Sequence, residues 1–201
     1  NIQEANKVLV NEFGSTMYAV AKDVKLQVEF NPAKVQSYRL VGYETRILNN
    51  EDFNDDTKDA GEMGAGHTVT ALYEIIPTGI SGNIPGSIDP LKYQTETNIN
   101  TQTNNSSELL TVKLRYKTPE EEKSKKIEKS VTDTDKDNVS PDFRFASAVA
   151  MFAQLLKDSD FKGEATYDKV IETANKGLSF DPEGYRAEFV RLVQSAKGLN
   201  K

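Results

Sequence analysis

The sequence predicts an α+β fold in which antiparallel strands form a sandwich-like core and a bundle of three helices follows. Two patterns indicate this order. Apolar residues recur at every second position in residues 24–30 and 110–117, which is typical of half-buried antiparallel strands. After residue 140 the apolar spacing becomes helical, and each of three segments begins at a capping residue. Strands and helices do not alternate, which disfavours a parallel doubly wound sheet.

Five segments are predicted as strands. The first begins at Val24, with Val24, Leu26, Val28 and Phe30 on one face and the polar residues between them on the other, and Asn31-Pro32 ends it with turn chemistry. The second is predicted over residues 35–47, with a β-bulge at Gly42. The third, residues 68–76, is apolar on both faces, so we expect it to lie at the centre of the sheet.

The fourth strand, residues 110–117, is predicted to be half-buried, because apolar side chains alternate with Thr111, Lys113, Arg115 and Lys117. The fifth, residues 125–132, is rich in lysine and is expected at a sheet edge, where lysine discourages the addition of another strand. Ile127 and Val131 are expected to point inward from it.

Three capped helices are predicted at the carboxyl end. Ser140 is the expected N-cap of the first and Pro141 its first residue. Thr166 begins the second, which ends at Gly177, and Asp181-Pro182 begins the third. The expected inward stripes are Phe145, Val149, Phe152 and Leu156; then Val170, Ile171 and Ala174; then Tyr185, Phe189, Leu192, Val193 and Ala196. We expect this bundle to pack on the free face of the sheet.

Three domains follow from these elements. Residues 1–14 form a helix, with its stripe at Ile2, Ala5, Val8, Leu9 and Phe13 and its end at Gly14. Residues 15–139 form the antiparallel β domain, and residues 140–201 form the helical bundle. Within the β domain, residues 78–107 are a polar insertion with too few apolar side chains to offset the entropy of ordering, and we expect it to be disordered.

Composition bounds the function. The chain has 201 residues, 37% apolar, with a net charge of −6 and no cysteine. An acidic balance disfavours nucleic-acid binding, and the lack of cysteine excludes disulfides and thiolate chemistry. No apolar run reaches the roughly 20 residues of a membrane helix. The first residues are not a signal peptide and resemble the middle of a helix, so we expect a piece of a longer protein.

His67 is the one histidine, beside Gly64 and Gly66 at the junction of a loop and a strand. It is either a general base or metal ligand, or a side chain that pins the loop by bonding nearby backbone, and the second interpretation is favoured because a lone histidine cannot build an ordinary zinc site. The glycines at 61, 64 and 66 precede a strand, whereas a dinucleotide cradle precedes a helix. A dinucleotide site is therefore rejected.

Two segments are dense in carboxylates, residues 51–59 and 133–138. Alternate oxygens at this spacing could bind calcium, but both segments lack the glycine and the bidentate glutamate of an EF-hand loop. The favoured interpretation is a solvated acidic turn in each case. A serine-hydrolase elbow is absent, and a pair of carboxylates for glycoside cleavage cannot be chosen from sequence spacing. No residue is therefore nominated as catalytic, cofactor-binding or metal-binding.

Four stretches together carry a family resemblance: residues 27–44, the glycine-punctuated residues 59–77, residues 108–117 and residues 181–190. They resemble the domain of unknown function that follows a von Willebrand factor type A domain in bacterial cell-envelope proteins, and the resemblance covers residues 17–197. It implies that residues 1–14 are the last helix of that type A domain, with an apolar face partly exposed here. The Asp-x-Ser-x-Ser metal motif of type A domains does not occur in this chain.

The resemblance implies a non-enzymatic interaction or scaffolding module in the cell envelope or periplasm. Its expected partner is the upstream type A domain of the same protein, with another envelope protein as a further possibility, and it needs no cofactor. The alternatives are a calcium- or glycan-binding module that uses the acidic turns and the Asn/Thr-rich insertion, and, more remotely, a hydrolase built on carboxylates and His67.

Overall fold

The computed structural model describes residues 5–80, 107–133 and 139–199. The chain divides into two compact units, Asn1–Asp133 and Thr134–Lys201, called here the sheet unit and the helical unit. The predicted packing of the bundle on the sheet stays a prediction. Most of the predicted polar insertion, residues 81–106, lies outside the described residues, as do residues 134–138 of the second acidic segment.

The sheet unit contains two antiparallel sheets. Its strands are β1 (Ala19–Phe30), β2 (Val35–Val41), β3 (Gly61–Gly64), β4 (Leu72–Pro77), β5 (Glu108–Lys117) and β6 (Lys125–Thr132). One sheet has the order β3-β1-β5-β6, and the other pairs β2 with β4. The two sheets meet at Phe30, whose ring centroid lies 4.4 Å from that of Tyr38 and 5.5 Å from that of Tyr73. The predicted α+β class with antiparallel strands is confirmed.

Strand β1 is longer than predicted and contains an irregularity at Asp23. The register against β5 shifts between Lys22 and Lys25, and Asp23 takes a left-handed conformation with φ of 50°. Beyond this point Lys25 is buried, whereas Leu26 is 45% exposed. The prediction that the apolar face is the buried face of this strand is therefore wrong at these two residues.

The second and third predicted strands are too long. β2 ends at Val41, because Gly42 and Tyr43 both have positive φ and turn the chain, so Gly42 follows the strand and is not a bulge within it. Residues 68–71 are not a strand, and β4 pairs only with β2 among the described residues. The prediction of a central third strand is wrong. The short strand β3, within the glycine-rich segment, was not predicted.

The last two strands lie where the sequence places them. β6 has the predicted bounds, and its position at a sheet edge is confirmed. Ile127 and Val131 are exposed, so their predicted inward orientation is wrong. In β5, Lys117 is buried, and Thr111, Lys113 and Arg115 are half-buried. The polar face of this strand is therefore covered, and the reason lies in the loop described below.

The amino-terminal segment is not one helix ending at Gly14. A π-helical turn, Lys7–Asn11, is followed by the short helix α1, Phe13–Met17, which contains Gly14. The amide of Tyr18 donates to the carbonyl of Gly14 at 3.1 Å, so the helical hydrogen bonding runs past the predicted end. Ile2, part of the predicted stripe, lies outside the described residues.

The helical unit consists of α2 (Pro141–Leu156), α3 (Tyr167–Lys176) and α4 (Tyr185–Leu199). The predicted caps of the first two are confirmed: Ser140 Oγ accepts from the amide of Phe143 at 3.1 Å, and Thr166 Oγ1 accepts from that of Lys169 at 3.2 Å. α4 begins later than predicted, since residues 182–184 form a turn, although Asp181 Oδ2 still accepts from the amide of Ala187 at 3.0 Å.

One apolar cluster forms the core of the helical unit: Ala148, Phe152, Val170, Ala174, Val190 and Val193. The predicted stripe of α3 is confirmed, but in the other helices Val149, Leu156 and Leu192 are exposed, so these three positions are wrong. Gly177 ends α3, as predicted. A Cβ placed there would lie 2.7 Å from the amide nitrogen of Phe145 and 2.8 Å from the carbonyl oxygen of Pro141, so α2 and α3 approach closely at this glycine.

Candidate functional site

The acidic loop, residues 51–59, folds over the polar face that β1 and β5 share. A 3₁₀ turn, Glu51–Asn54, carries Phe53 into the unit, where it is only 4% exposed. The guanidinium carbon of Arg115 lies 5.6 Å from the centre of the Phe53 ring, which is within the range of a cation–π contact. The loop is therefore anchored by one aromatic side chain, with charged groups around it.

Two buried lysines reach the loop from the sheet. Lys25, on β1, donates from Nζ to the carbonyl oxygen of Asp52 at 3.2 Å and also to that of Asp55. Lys117, on β5, donates to the carbonyl oxygen of Asp56 at 2.8 Å. These lysines are 4% and 9% exposed. A buried ammonium is stable only when its donors are satisfied, and here backbone carbonyls of the acidic loop satisfy them.

The irregularity in β1 completes the site. Asp23 Oδ2 lies 2.8 Å from Lys117 Nζ, and its other oxygen accepts from the amide of Ala60 at 3.2 Å, just beyond the loop. The hydrogen bond from Lys117 lowers the pKa of the Asp23 carboxyl, more than burial raises it. The same bond raises the pKa of the Lys117 ammonium. Both groups are thus charged over a wide pH range.

Arg115 joins the loop to the segment that precedes β6. Its Nη2 donates to Asn54 Oδ1 at 2.9 Å and its Nη1 donates to Ser124 Oγ at 3.0 Å. Asp56 Oδ2 accepts from the amide of Ser124 at 3.3 Å, and hydrogen bonds with Ser124 lower the pKa of Asp56. Because Asp56 belongs to the loop and Ser124 directly precedes β6, these bonds tie the loop to the start of the strand next to β5.

The arrangement explains the acidic segment without a bound cation. The carbonyls of Asp52, Asp55 and Asp56, which would be natural calcium ligands, accept from lysines of the same chain. One oxygen of the Asp55 carboxylate, Oδ1, also accepts from the amide and the hydroxyl of Thr57 at 2.9 and 2.7 Å. Across residues 5–80, 107–133 and 139–199, no group of three or more metal-ligating side chains is suitably placed.

His67 lies in the turn that follows β3, and its side chain is exposed. Its amide donates to the carbonyl of Gly64 at 3.0 Å, while Gly66 has a φ of 77°, which a glycine accommodates without strain. The backbone of His67, rather than its imidazole, makes this bond. The glycine-rich segment thus forms an edge strand and a tight turn.

The glycine-rich segment is hydrogen-bonded to the end of the amino-terminal segment. The amide of Ala65 donates to the carbonyl of Tyr18 at 3.1 Å, and Ala19, the first residue of β1, pairs with Gly64. The most recognisable stretch of the sequence therefore lies where the incoming chain joins the sheet.

Large apolar side chains of this incoming chain are exposed. Their exposed fractions run from 45% to 73%, and they are Val8, Leu9, Val10, Phe13, Met17, Tyr18 and Val20. We call residues 8–20 the apolar segment. Val8, Leu9 and Phe13 of the predicted stripe are among these exposed side chains, and that this exposure results from a missing domain partner stays a prediction. Contiguous exposed apolar residues mark interaction surfaces more often than scattered ones do.

Sequence reasoning weighed the acidic loop but missed the lysines that bind it. Lys113, Arg115 and Lys117 alternate along β5, and an acidic stretch of similar length lies elsewhere in the unit. That charge complementarity was a usable signal. Lys25 gave none, because its burial depends on the irregularity at Asp23. Among the described residues, no helix is both long and apolar enough to span a membrane.

A family model described as the C-terminal part of the uncharacterized protein YfbK matches residues 15–199. The chain is similar to the uncharacterized protein YfbK of Escherichia coli strain K12, with 39% identity over 198 residues, which are 98% of this chain and 33% of that protein. The chain thus spans about a third of the length of this curated relative. No solved structure matches the chain.

Proposed function

The chain belongs to the family of YfbK C-terminal domains, and on this premise we propose that it is a non-catalytic interaction module of a longer protein. Its partner is the preceding region of the same polypeptide, and its role is to hold that region in a set position. The apolar segment is the observation that carries the proposal, because it exposes seven large apolar side chains, six of them before β1 and the seventh, Val20, at the start of that strand.

Two findings support an intramolecular partner. The family model describes a C-terminal part, and the relative is about three times as long as the matched region. Most of such a protein therefore precedes the apolar segment. The segment is also firmly joined to the sheet through the bonds of Tyr18 and Ala19, so a domain seated on it would be held in a defined orientation.

The sequence resemblance supplies the finer proposal. We infer that the preceding region includes a von Willebrand factor type A domain and that the protein belongs to the bacterial cell envelope or periplasm. Residues 1–14 would be the part of this chain that packs with that domain. The net charge of −6 suits a protein partner better than a nucleic acid.

A non-catalytic role agrees with how the charged groups are used. The buried lysines donate hydrogen bonds to the backbone carbonyls of the acidic loop, and this arrangement serves to hold the loop on the sheet. The alternative, a calcium- or glycan-binding module, would have to displace Lys25 or Lys117 to use the acidic loop. The more remote hydrolase would need His67 beside a pair of carboxylates.

The proposal is tested with Leu9→Asp in the complete polypeptide that contains this chain. In the isolated chain, Leu9 is 68% exposed, so its replacement should change the free energy of unfolding by no more than about 0.5 kcal/mol. In the complete polypeptide the same change should loosen docking and increase protease cleavage near residues 7–20. Phe180→Asp, at an 88% exposed position of the helical unit, is the matched control and should leave this cleavage unchanged.

Equal cleavage of the wild type and the Leu9 variant would contradict the proposal. A calorimetric titration with calcium separates the alternative. We expect no binding heat from this chain, whereas saturable heat that disappears in Asp56→Asn would favour a calcium module over an interaction module.

A further inference from the structure

The π-helical turn at Lys7–Asn11 is the unusual feature of the apolar segment. The amide of Glu12 donates to the carbonyl of Lys7 at 2.8 Å, which spans five residues where an α-helix spans four. Such turns are rare in proteins, and those that occur are often found at functional sites. Here the turn lies directly before α1 and interrupts what would otherwise be one longer helix.

We propose that residues 7–17 become one continuous α-helix when the preceding region of the polypeptide docks on them. This inference rests on the proposed function and adds the conformational change that accompanies docking. The occupant is the domain that precedes this chain in the complete protein, since the family model describes a C-terminal part. That domain would present an apolar groove to the new helix.

The sequence of the segment carries the inference. In a regular α-helix, Leu9, Val10, Phe13 and Met17 would fall within an arc of about 100°, which is the width of a core-facing stripe. Lys7 and Val8 would lie on the opposite side. The wider π turn breaks this alignment, and all four apolar residues are exposed. The sequence thus suits a helix that the undocked chain does not form.

The energetics agree with a change that needs a partner. A helix of about 11 residues is marginal on its own, because most helical stability comes from packing of the apolar face. Gly14 lowers it further. Docking would supply the missing burial, while the bonds of Tyr18 and Ala65 fix the carboxyl end of the segment throughout. The rearrangement is therefore confined to residues 7–17.

Gly14 provides the test. A Cβ at this position would meet no atom within 4 Å, so Gly14→Ala favours the helix without a clash. In the complete polypeptide, this variant should slow amide hydrogen exchange of residues 7–17 by about two- to fivefold. Gly198→Ala, the same change at an open position of α4, is the matched control and should leave exchange in residues 7–17 unchanged.

The possible outcomes separate the two proposals. If residues 7–17 exchange equally fast in the isolated chain and in the complete polypeptide, the proposed function fails and this inference fails with it. If docking protects them but Gly14→Ala has no effect, and the Glu12 amide in nuclear magnetic resonance spectra still pairs with Lys7, only the helix formation is wrong. Protection together with α-helical chemical shifts over residues 7–17 supports both.

Discussion

Six apolar side chains form the centre of the helical unit, whereas two of the most buried side chains of the sheet unit are lysines. In the helical unit Phe152 is ringed by apolar and aromatic neighbours, with Tyr167 and Phe189 in edge-to-face contact at 6.3 and 5.6 Å between centroids. In the sheet unit, Lys25 and Lys117 lie beneath the acidic loop. One unit is held by apolar packing, and the other depends on charge-assisted hydrogen bonds.

This difference indicates which of the two units would gain stability by binding a partner. Apolar packing loses free energy with every buried group that is removed, so the helical unit is a fixed body. Among the described residues, the sheet unit has two buried apolar side chains, Val35 and Phe53, against six in the helical unit, and its apolar segment leaves neighbouring large apolar side chains exposed. A unit of that kind gains from a partner, which is the role proposed for it.

The largest expected effect is that of Phe152→Ala in the helical unit. Removing this buried ring should lower the free energy of unfolding of that unit by about 3–5 kcal/mol, because the site keeps a cavity. Leu156→Ala, one turn further along α2 and 61% exposed, is the matched control and should cost far less. Urea unfolding followed by hydrogen exchange reports each unit separately. Comparable losses in the two variants would refute the assigned core.

The second effect probes the close approach of α2 and α3. Gly177→Ala brings a methyl group to within 2.7 Å of backbone atoms of α2, so the helices must separate, at a cost of about 1–3 kcal/mol. Gly198→Ala has open space in α4 and should be neutral or slightly stabilising. The same unfolding experiment measures both. A neutral Gly177 variant would mean that the helices are not packed this tightly.

The helical unit could be predicted largely from its sequence because its signals are local. Ser140, Thr166 and Gly177 cap helices within one turn of themselves, and the spacing of Val170 and Ala174 identifies a buried face. The errors in α2 have a physical cause. The prediction selected the larger Val149, but the core takes the small Ala148, which is fully buried where the helices crowd together. Volume at the contact, which periodicity ignores, decided the outcome.

The sheet unit was predicted less well because its burial is not local. Alternation identified β5 correctly, and the lysine-rich β6 has its predicted bounds, but the covered face was wrong at Ile127 and Val131 in β6 and near Lys25 in β1. The acidic loop lies about 30 residues further along the chain and covers the polar side. The spacing of apolar residues predicts neither this contact nor the left-handed conformation of Asp23. The family fingerprint was recognised as sequence, while its position beside Tyr18 needed the structure.

The third effect tests the hydrogen bonds by which the buried lysines hold the acidic loop. Lys25→Met keeps the apolar length of the side chain but leaves the carbonyls of Asp52 and Asp55 without this donor, which should destabilise the sheet unit by about 1–3 kcal/mol. Lys129→Met, on the exposed edge strand β6, is the matched control and should change stability by no more than about 0.5 kcal/mol. Hydrogen exchange of residues 51–59 should accelerate only in the first variant. Unchanged exchange there would show that Lys25 does not hold the loop, and that Phe53 and the bonds of Lys117 and Arg115 hold it instead.

The smallest effect is the pH dependence that Asp23 gives the sheet unit. The pKa of Asp23 is lowered from 3.8, chiefly by the hydrogen bond from Lys117. A carboxyl whose pKa is lower in the folded than in the unfolded state contributes stability above the unfolded value, and loses it as the pH falls through the folded value. The sheet unit should therefore weaken below pH 3.8, the ordinary value for this group.

Asp23→Asn tests this assignment, because asparagine keeps the shape of the side chain but cannot titrate. The variant should be less stable than the wild type near neutral pH and should converge with it in acid, as the wild-type carboxyl becomes protonated. The raised pKa of Lys117 gives the complementary expectation, since its contribution is present below 10.5 and is lost as the pH rises through the folded value. If the free energies of unfolding of variant and wild type run parallel throughout the acid range, Asp23 does not supply the acid sensitivity. Lys117 would then be held by the backbone carbonyls of the acidic loop instead.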